Sequence, residues 1–474
     1  MNTQRATTPA ERFTAPGAWR HGLRYGLLGL PLAFVALPLY VVLPNHYARS
    51  FAVPLAALGA VLLAARLFDA VLDPWIGRWT DRLFARSHRL VLAAGAVAAV
   101  VLALGLWGLL FPPMPVQADA TTLLTWAGAL MAITYTAYSV ASVAHQTWGT
   151  RLGGTEGQRS RISAWREGLA LVGVLTAAVL PGTLGLGATV LAFAVLLVLG
   201  WWAWSGAVVP TARAPAPGMP LQPSAASRSP GRPKNDCTPS GGQAQPGLGA
   251  KIHPLRQPRF VRLLAVFVVN GTASAVPATL VLFFVQDRLQ APTSVEPAFL
   301  ATYFLCAALS LPLWVRLVPR FGLARTWLAG MALSVLVFIW AATLGAGDVT
   351  AFLIVCALSG VALGTDLALP SALLTGLMDD LGERGQREGA YLGWWSFAAK
   401  LNLALAAGLA LPLLGLFGYS PGARDAQALW TLTVAYCLLP CALKLLAAGL
   451  LHTLIIRPAR RDESLLASPL KVQP

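Results

Sequence analysis

Outside one central segment, almost every stretch of about 20 residues in this chain is apolar and carries one charge or none. Stretches of that length cross a bilayer as helices, because in lipid a backbone must satisfy its own hydrogen bonds. The pattern predicts twelve spanning helices, at roughly 23–45, 51–80, 89–111, 121–149, 163–186, 188–209, 259–286, 297–318, 324–345, 349–378, 388–416 and 425–455. Residues 210–258 break the pattern. They are rich in Pro, Gly, Ser and Ala with scattered positive charge, and read as a flexible connector between two six-helix halves. The expected fold class is all-α integral membrane, with residues 23–209 and 259–455 as halves and polar tails at 1–22 and 456–474. Two similar halves suit alternating access, in which one rocks against the other around a central site.

Composition agrees and narrows the class. The 474 residues are 56% hydrophobic and 11% charged, far from a soluble enzyme, a nucleic-acid binder or a disordered chain. The net charge of +16 therefore has to be read by position. Of the 35 Lys and Arg, 29 fall on the side of the tails and even-numbered loops, against Arg49, Arg288 and Arg424 on the other. By the positive-inside rule both termini are cytoplasmic, in the inner membrane, so the basic charge marks topology and not a nucleic-acid partner. No cleavable leader precedes helix 1, whose apolar stretch is long enough to span. The five cysteines form no CxxC pair, and the four in apolar helices read as packing residues, with no metal site or disulfide framework. The Trp201, Trp202 and Trp204 cluster reads as an interfacial belt.

Charges inside the membrane carry the functional reading, since each costs several kcal/mol there. In ARLFDAVLDPWIGRWTDR, Arg66, Asp69 and Asp73 fall at i, i+3 and i+7 on one face of helix 2. Two carboxylates a turn apart repel unless a proton or Na⁺ neutralises the pair, which is the chemistry of a cation-coupling site. The same spacing also fits a structural Arg66–Asp69 pair with Asp73 at the interface. Asp366 in helix 10 and Lys400 in helix 11 lie at the depth of Asp69, about 16–18 Å from the cytoplasmic ends at 1.5 Å per residue. Those two could hold a solute or simply staple helices 10 and 11 as an ion pair. Lys444 reads as shallower and free to snorkel. Helix 4 adds Tyr135, Thr136 and Ser139, with His145 nearer its cytoplasmic end as a candidate proton relay or gate. Asn270 of helix 7 is a further candidate ligand.

Helix 2, RLFDAVLDPWIGRWTDR, resembles the RxxDAxxDPxxG…D signature of the glycoside–pentoside–hexuronide:cation symporters, the melibiose-permease group of the major facilitator superfamily. Its tail, Gly77 to Arg82, also resembles the GxxxDR core of that superfamily's loop between helices 2 and 3. Weaker likenesses are YT in helix 4, RISAWREG entering helix 5, the Lys of helix 11 and GYSPG before helix 12. The resemblance implies that Asp69, Asp73 and Thr136 form the cation site, that Lys400 lies between cation and substrate, and that Arg166 stands near a sugar. It implies that Gly77, Asp81 and Arg82 form a cytoplasmic gate, latching helices 2 and 3 against the rest of the bundle in one state. The sequence departs from the family where Ala33 and Ser139 replace sugar-binding carboxylates and Leu72 replaces an Asn, which leans the ion towards H⁺.

The expectation is a cation-coupled (H⁺ or Na⁺) secondary transporter of a small solute, with no cofactor beyond the coupling ion and no enzymatic activity. The solute would sit near Lys400, Asp366, Ser139, Tyr135, Asn270, Arg166 and His145. A sugar or glycoside is the default. Apolar helix 1 leaves room for an amphipathic substrate such as a lysolipid, and a non-transporting sensor is the remaining alternative. The expected partners are the solute and the bilayer, with the protein a monomer.

Overall fold

The computed structural model describes residues 8–51, 55–117, 119–210, 253–419, 422 and 424–458. The predicted connector lies almost wholly outside the described residues, as do 1–7 and 459–474 of the predicted tails. Among the described residues every regular element is helical. Twelve segments span the bundle. The first, α1, is assembled from Ala18–Gly26, Gly29–Phe34, a π turn at Pro38–Val42 and Leu43–Ser50. It is broken where Pro31 and Pro38 each remove a backbone donor and crowd the preceding turn. Then follow α2 (Leu55–Arg86), α3 (His88–Leu110), α4 (Ala120–Leu152), α5 (Glu156–Pro181) and α6 (Thr183–Ser205). The second half holds α7 (Pro258–Arg288), α8 (Glu296–Phe321), α9 (Leu323–Ala341), α10 (Val349–Asp380), α11 (Glu388–Leu416) and α12 (Ala426–Ile456).

The boundaries differ from the sequence reading where local chemistry intervenes. Helix α5 starts at Glu156, ahead of the expected 163, because Thr155 and Gln158 form a reciprocal capping box. The long helical run Glu156–Ser205 is kinked at Gly185, in the first turn of α6, where φ is 80°, close to the expected break. Residues 9–22 are not a free tail: a single 3-10 turn, Pro9–Phe13, buries Ala10 and Phe13 in the core of the first half. Trp202 is 70% exposed, as a belt residue would be, whereas Trp204 is buried in the core beside Trp148.

Twelve alternating crossings put both ends of the chain on one end of the bundle, here called the terminal face, and α1, α3, α5, α7, α9 and α11 all start from it. The first half packs around one apolar core drawn from α1 to α6, and the second around two. Leu171 of α5 meets Ala307, Leu311 and Ala368 of α8 and α10 between the halves. Large apolar side chains such as Val97, Leu191 and Leu309 point outward, as lipid requires.

The closest approach between the halves is α2 against α11. A Cβ on Gly77 would stand 2.0 Å from the Gly389 carbonyl oxygen, and one on Gly393 would stand 2.5 Å from that of Asp73. Glycine is required at these crossings because two backbones touch where a side chain would otherwise sit. The polar contacts between the halves continue to the terminal face. Arg159 pairs with Asp379 at 3.2 Å, Ser371 donates to Ser163 at 3.1 Å, and Glu156 accepts from Leu323 N at 3.1 Å. The bundle is closed on this side.

Candidate functional site

The α2–α11 crossing brings together groups that the sequence placed on separate helices. Asp69 and Asp73 lie on the buried face of α2, 2% and 0% exposed, opposite Lys400 of α11. The Lys400 ammonium lies 2.7 Å from Asp69 Oδ2, 2.9 and 2.8 Å from the Asp73 oxygens, and 2.9 Å from Ser139 Oγ of α4. Its hydrogen bonds run to Asp73 and Ser139, and Asp69 pairs with it by charge. The Ser139 hydroxyl donates onward to Asp69 Oδ1 at 2.7 Å. The cluster therefore joins a cation of one half to two carboxylates of the other. With two acids and one base it carries one net negative charge.

This geometry redistributes several of the expected site residues. Ser139 belongs to the charge cluster rather than to a separate solute pocket. The Thr136 hydroxyl donates to the Ala132 carbonyl of its own helix at 2.7 Å, not to the carboxylates. Tyr135 is buried in the core of the first half. Asp69 is held by Lys400 and Ser139.

Asp366 does not pair with Lys400. Its Oδ2 lies 2.5 Å from Lys444 Nζ, and it also accepts from Ser274 Oγ, Asn270 Nδ2 and Trp327 Nε1. Lys444 also donates to Asn270 Oδ1 at 2.8 Å. Lys444, read as a snorkelling residue, is 4% exposed and is the counter-ion of this second network, which lies wholly within the second half. Its distance from the terminal end of α12 matches that of Lys400 along α11, and this was the signal that could have found it.

Two further candidates make their closest contacts within the first half. His145 Nε2 donates to the Tyr25 carbonyl at 2.7 Å, and its ring lies against Tyr25 and Trp204, tying α4 to α1 and α6. Arg166 pairs with its neighbour Glu167, and its backbone carbonyl lies against Gly29 of α1.

At the terminal face, Asp81 caps the start of α11. Its two oxygens accept from Gly389 N and Ala390 N, each at 2.8 Å, filling donors that the first turn of a helix leaves open. Arg151 of α4 bridges Asp81 at 3.3 Å and Glu388 at 3.1 Å, with its guanidinium 4.2 Å over the Phe84 ring. Arg384 donates to the Leu152 carbonyl at 2.8 Å, engaging the far end of α4. These contacts run from α2 and α4 to α11. Arg82 is exposed and takes no part in these contacts. Sequence reasoning found Gly77 and Asp81 but missed Arg151, Glu388 and Arg384, because loop charges at a basic face look alike until the fold pairs them.

With this geometry in place, the comparisons with known proteins can be weighed. A family described as MFS/sugar transport protein matches residues 24–214 and 236–457. No curated protein sequence matches the chain. Among solved structures, a bacterial homologue of the iron transporter ferroportin, in its outward-facing state, is similar at TM-score 0.65 and 13% identity, over 92% of this chain and 99% of that one. The Escherichia coli fucose:proton symporter is similar at TM-score 0.57 and 13% identity, over 89% and 98%. The human organic anion transporter TETRAN is similar at TM-score 0.59 and 16% identity, over 91% and 99%. At these identities the likeness is one of fold.

Proposed function

The chain belongs to the MFS/sugar transport protein family of the major facilitator superfamily, and on that premise we propose that it is a cation-coupled secondary transporter of a small polar solute. Family membership makes it a multi-pass membrane transporter and not an enzyme. The single observation that carries the coupling is the Lys400 ammonium of one half, locked between the buried Asp69 and Asp73 of the other.

The mechanism follows from electrostatics. Opening the terminal face parts α2 from α11 and draws Lys400 away from the carboxylates. Two unpaired carboxylates at mid-bilayer depth cost several kcal/mol each, so the parting is favourable only when another cation replaces the ammonium. A proton on one carboxylate, hydrogen-bonded through Ser139, meets that need with the groups present, and H⁺ is the ion of this account. Lys400 then acts as a tethered cation that holds the site until the coupling ion arrives. Released Lys400 is free to meet the solute. The Asp81–Arg151–Glu388 latch closes the same path at the terminal face, which the distribution of Lys and Arg assigns to the cytoplasm of a bacterial-type inner membrane.

A sugar or glycoside is the solute class of this reading. It rests on the family description and on the fold shared with a fucose:proton symporter. The test is solute-driven proton movement in vesicles containing the purified protein, with Na⁺ and a lysolipid as separate arms. Proton entry with a sugar supports the reading. Sugar uptake without ion movement sinks the coupling, and ion movement only with a lysolipid replaces the solute.

A further inference from the structure

A second charged concavity lies away from the transport path, on the terminal face. A cavity of about 300 Å³ is walled by Pro9, Arg12, His21, Arg24 and the 206–209 segment that follows α6. It is built, not accidental. The Pro9–Phe13 turn is anchored by the burial of Ala10 and Phe13, and Phe13 packs edge-on against Tyr25 at 6.3 Å, which fixes the neighbouring Arg12 at the rim. Arg24 leans across to the Gly206 carbonyl at 3.5 Å. Among the described residues, neither Arg12 nor Arg24 forms an ion pair. The adjacent Glu11 turns back to accept from Thr8 N at 3.0 Å. Three basic side chains thus converge on a hollow that no acid neutralises.

Its position selects the ligand. The hollow stands where α1 enters the membrane and α6 leaves it, so a lipid headgroup lies level with it. Trp19 (55% exposed) and Trp202 (70% exposed) extend outward nearby, as aromatic residues do at a headgroup boundary. The far wall is apolar: Ala207 and Val208 are buried, and Val209 is exposed. A phosphate held by arginines beside an apolar wall matches an anionic phospholipid better than a free ion. We propose that this hollow binds the phosphate of an anionic phospholipid of the leaflet on the terminal face, through Arg12 and Arg24.

The test uses the purified full chain in detergent, titrated with phosphatidylglycerol, with phosphatidylcholine of the same chains, and with inorganic phosphate. Bound lipid is counted by native mass spectrometry. The expected result is saturable phosphatidylglycerol binding that R12Q/R24Q weakens on the order of 20-fold and that R20Q leaves unchanged. A207W fills the hollow without removing charge and produces the same loss, so the test survives if the double variant folds poorly. Equal binding of phosphatidylglycerol by wild type and R12Q/R24Q overturns the proposal. So does inorganic phosphate binding as tightly as the lipid, which would make the hollow a free-anion site.

Discussion

Replacing Lys400 with Met tests the charge cluster where its electrostatics are most exposed. The variant keeps most of the side-chain volume and removes a cation that lies within 2.9 Å of Asp69, Asp73 and Ser139. Both carboxylates stay buried, at 2% and 0% exposure. Leaving a buried charge without its partner costs about 3–5 kcal/mol, or about two to three and a half decades in the unfolding equilibrium. The effect of D73N then changes sign between the two backgrounds. In the wild-type background D73N takes the cluster from one net negative charge to neutral while Lys400 keeps Asp69, so its cost is below about 1 kcal/mol. In the K400M background D73N removes one of two stranded carboxylates and restores at least about 1 kcal/mol. Unfolding in mixed micelles of increasing denaturing detergent, run on the four proteins of this cycle, measures the coupling. If D73N has the same effect in both backgrounds to within about 0.5 kcal/mol, the groups are independent and the reasoning fails.

Three other predictions follow from the two networks and the gate. D81N removes the charge from the oxygens that cap α11 and meet Arg151, so transport falls at least tenfold, while R82Q stays within about twofold of wild type; initial uptake rates in matched vesicles separate them. G77L forces apart two backbones that now touch, so in a background lacking native cysteines S163C, buried opposite Ser371, gains reactivity to an impermeant thiol reagent applied from the terminal face; unchanged labelling would contradict the crossing. D366N strands Lys444 and lowers stability by about 3–5 kcal/mol, and adding K444M recovers most of it, as a detergent unfolding series would report.

The number and order of the spans were legible because a 20-residue apolar run has few other fates. So was the convergence of Asp69, Asp73 and Lys400, because helical depth can be counted from the membrane ends. Pairing was not legible. The sequence reading set Lys444 shallower than Lys400, and only the packing of α2 on α11, and of α7 and α10 on α12, decides which acid each meets. The Gly77–Gly389 approach decides the first of these, and a single sequence marks such glycines no differently from any other. Thr136 illustrates the converse: a hydroxyl in a membrane helix has its own backbone carbonyl within reach, and that bond competes with any distant ligand. Polar residues were thus easier to locate than to assign.

The measurement that bears most directly on the central claim is proton movement in vesicles containing the purified protein when a panel of sugars and glycosides is added, with D69N and D73N alongside wild type. The account predicts sugar-dependent proton entry in wild type and none in either variant, with both variants inserted and folded. Sugar uptake in wild type without proton or Na⁺ movement, or full coupled transport in D69N, would contradict it.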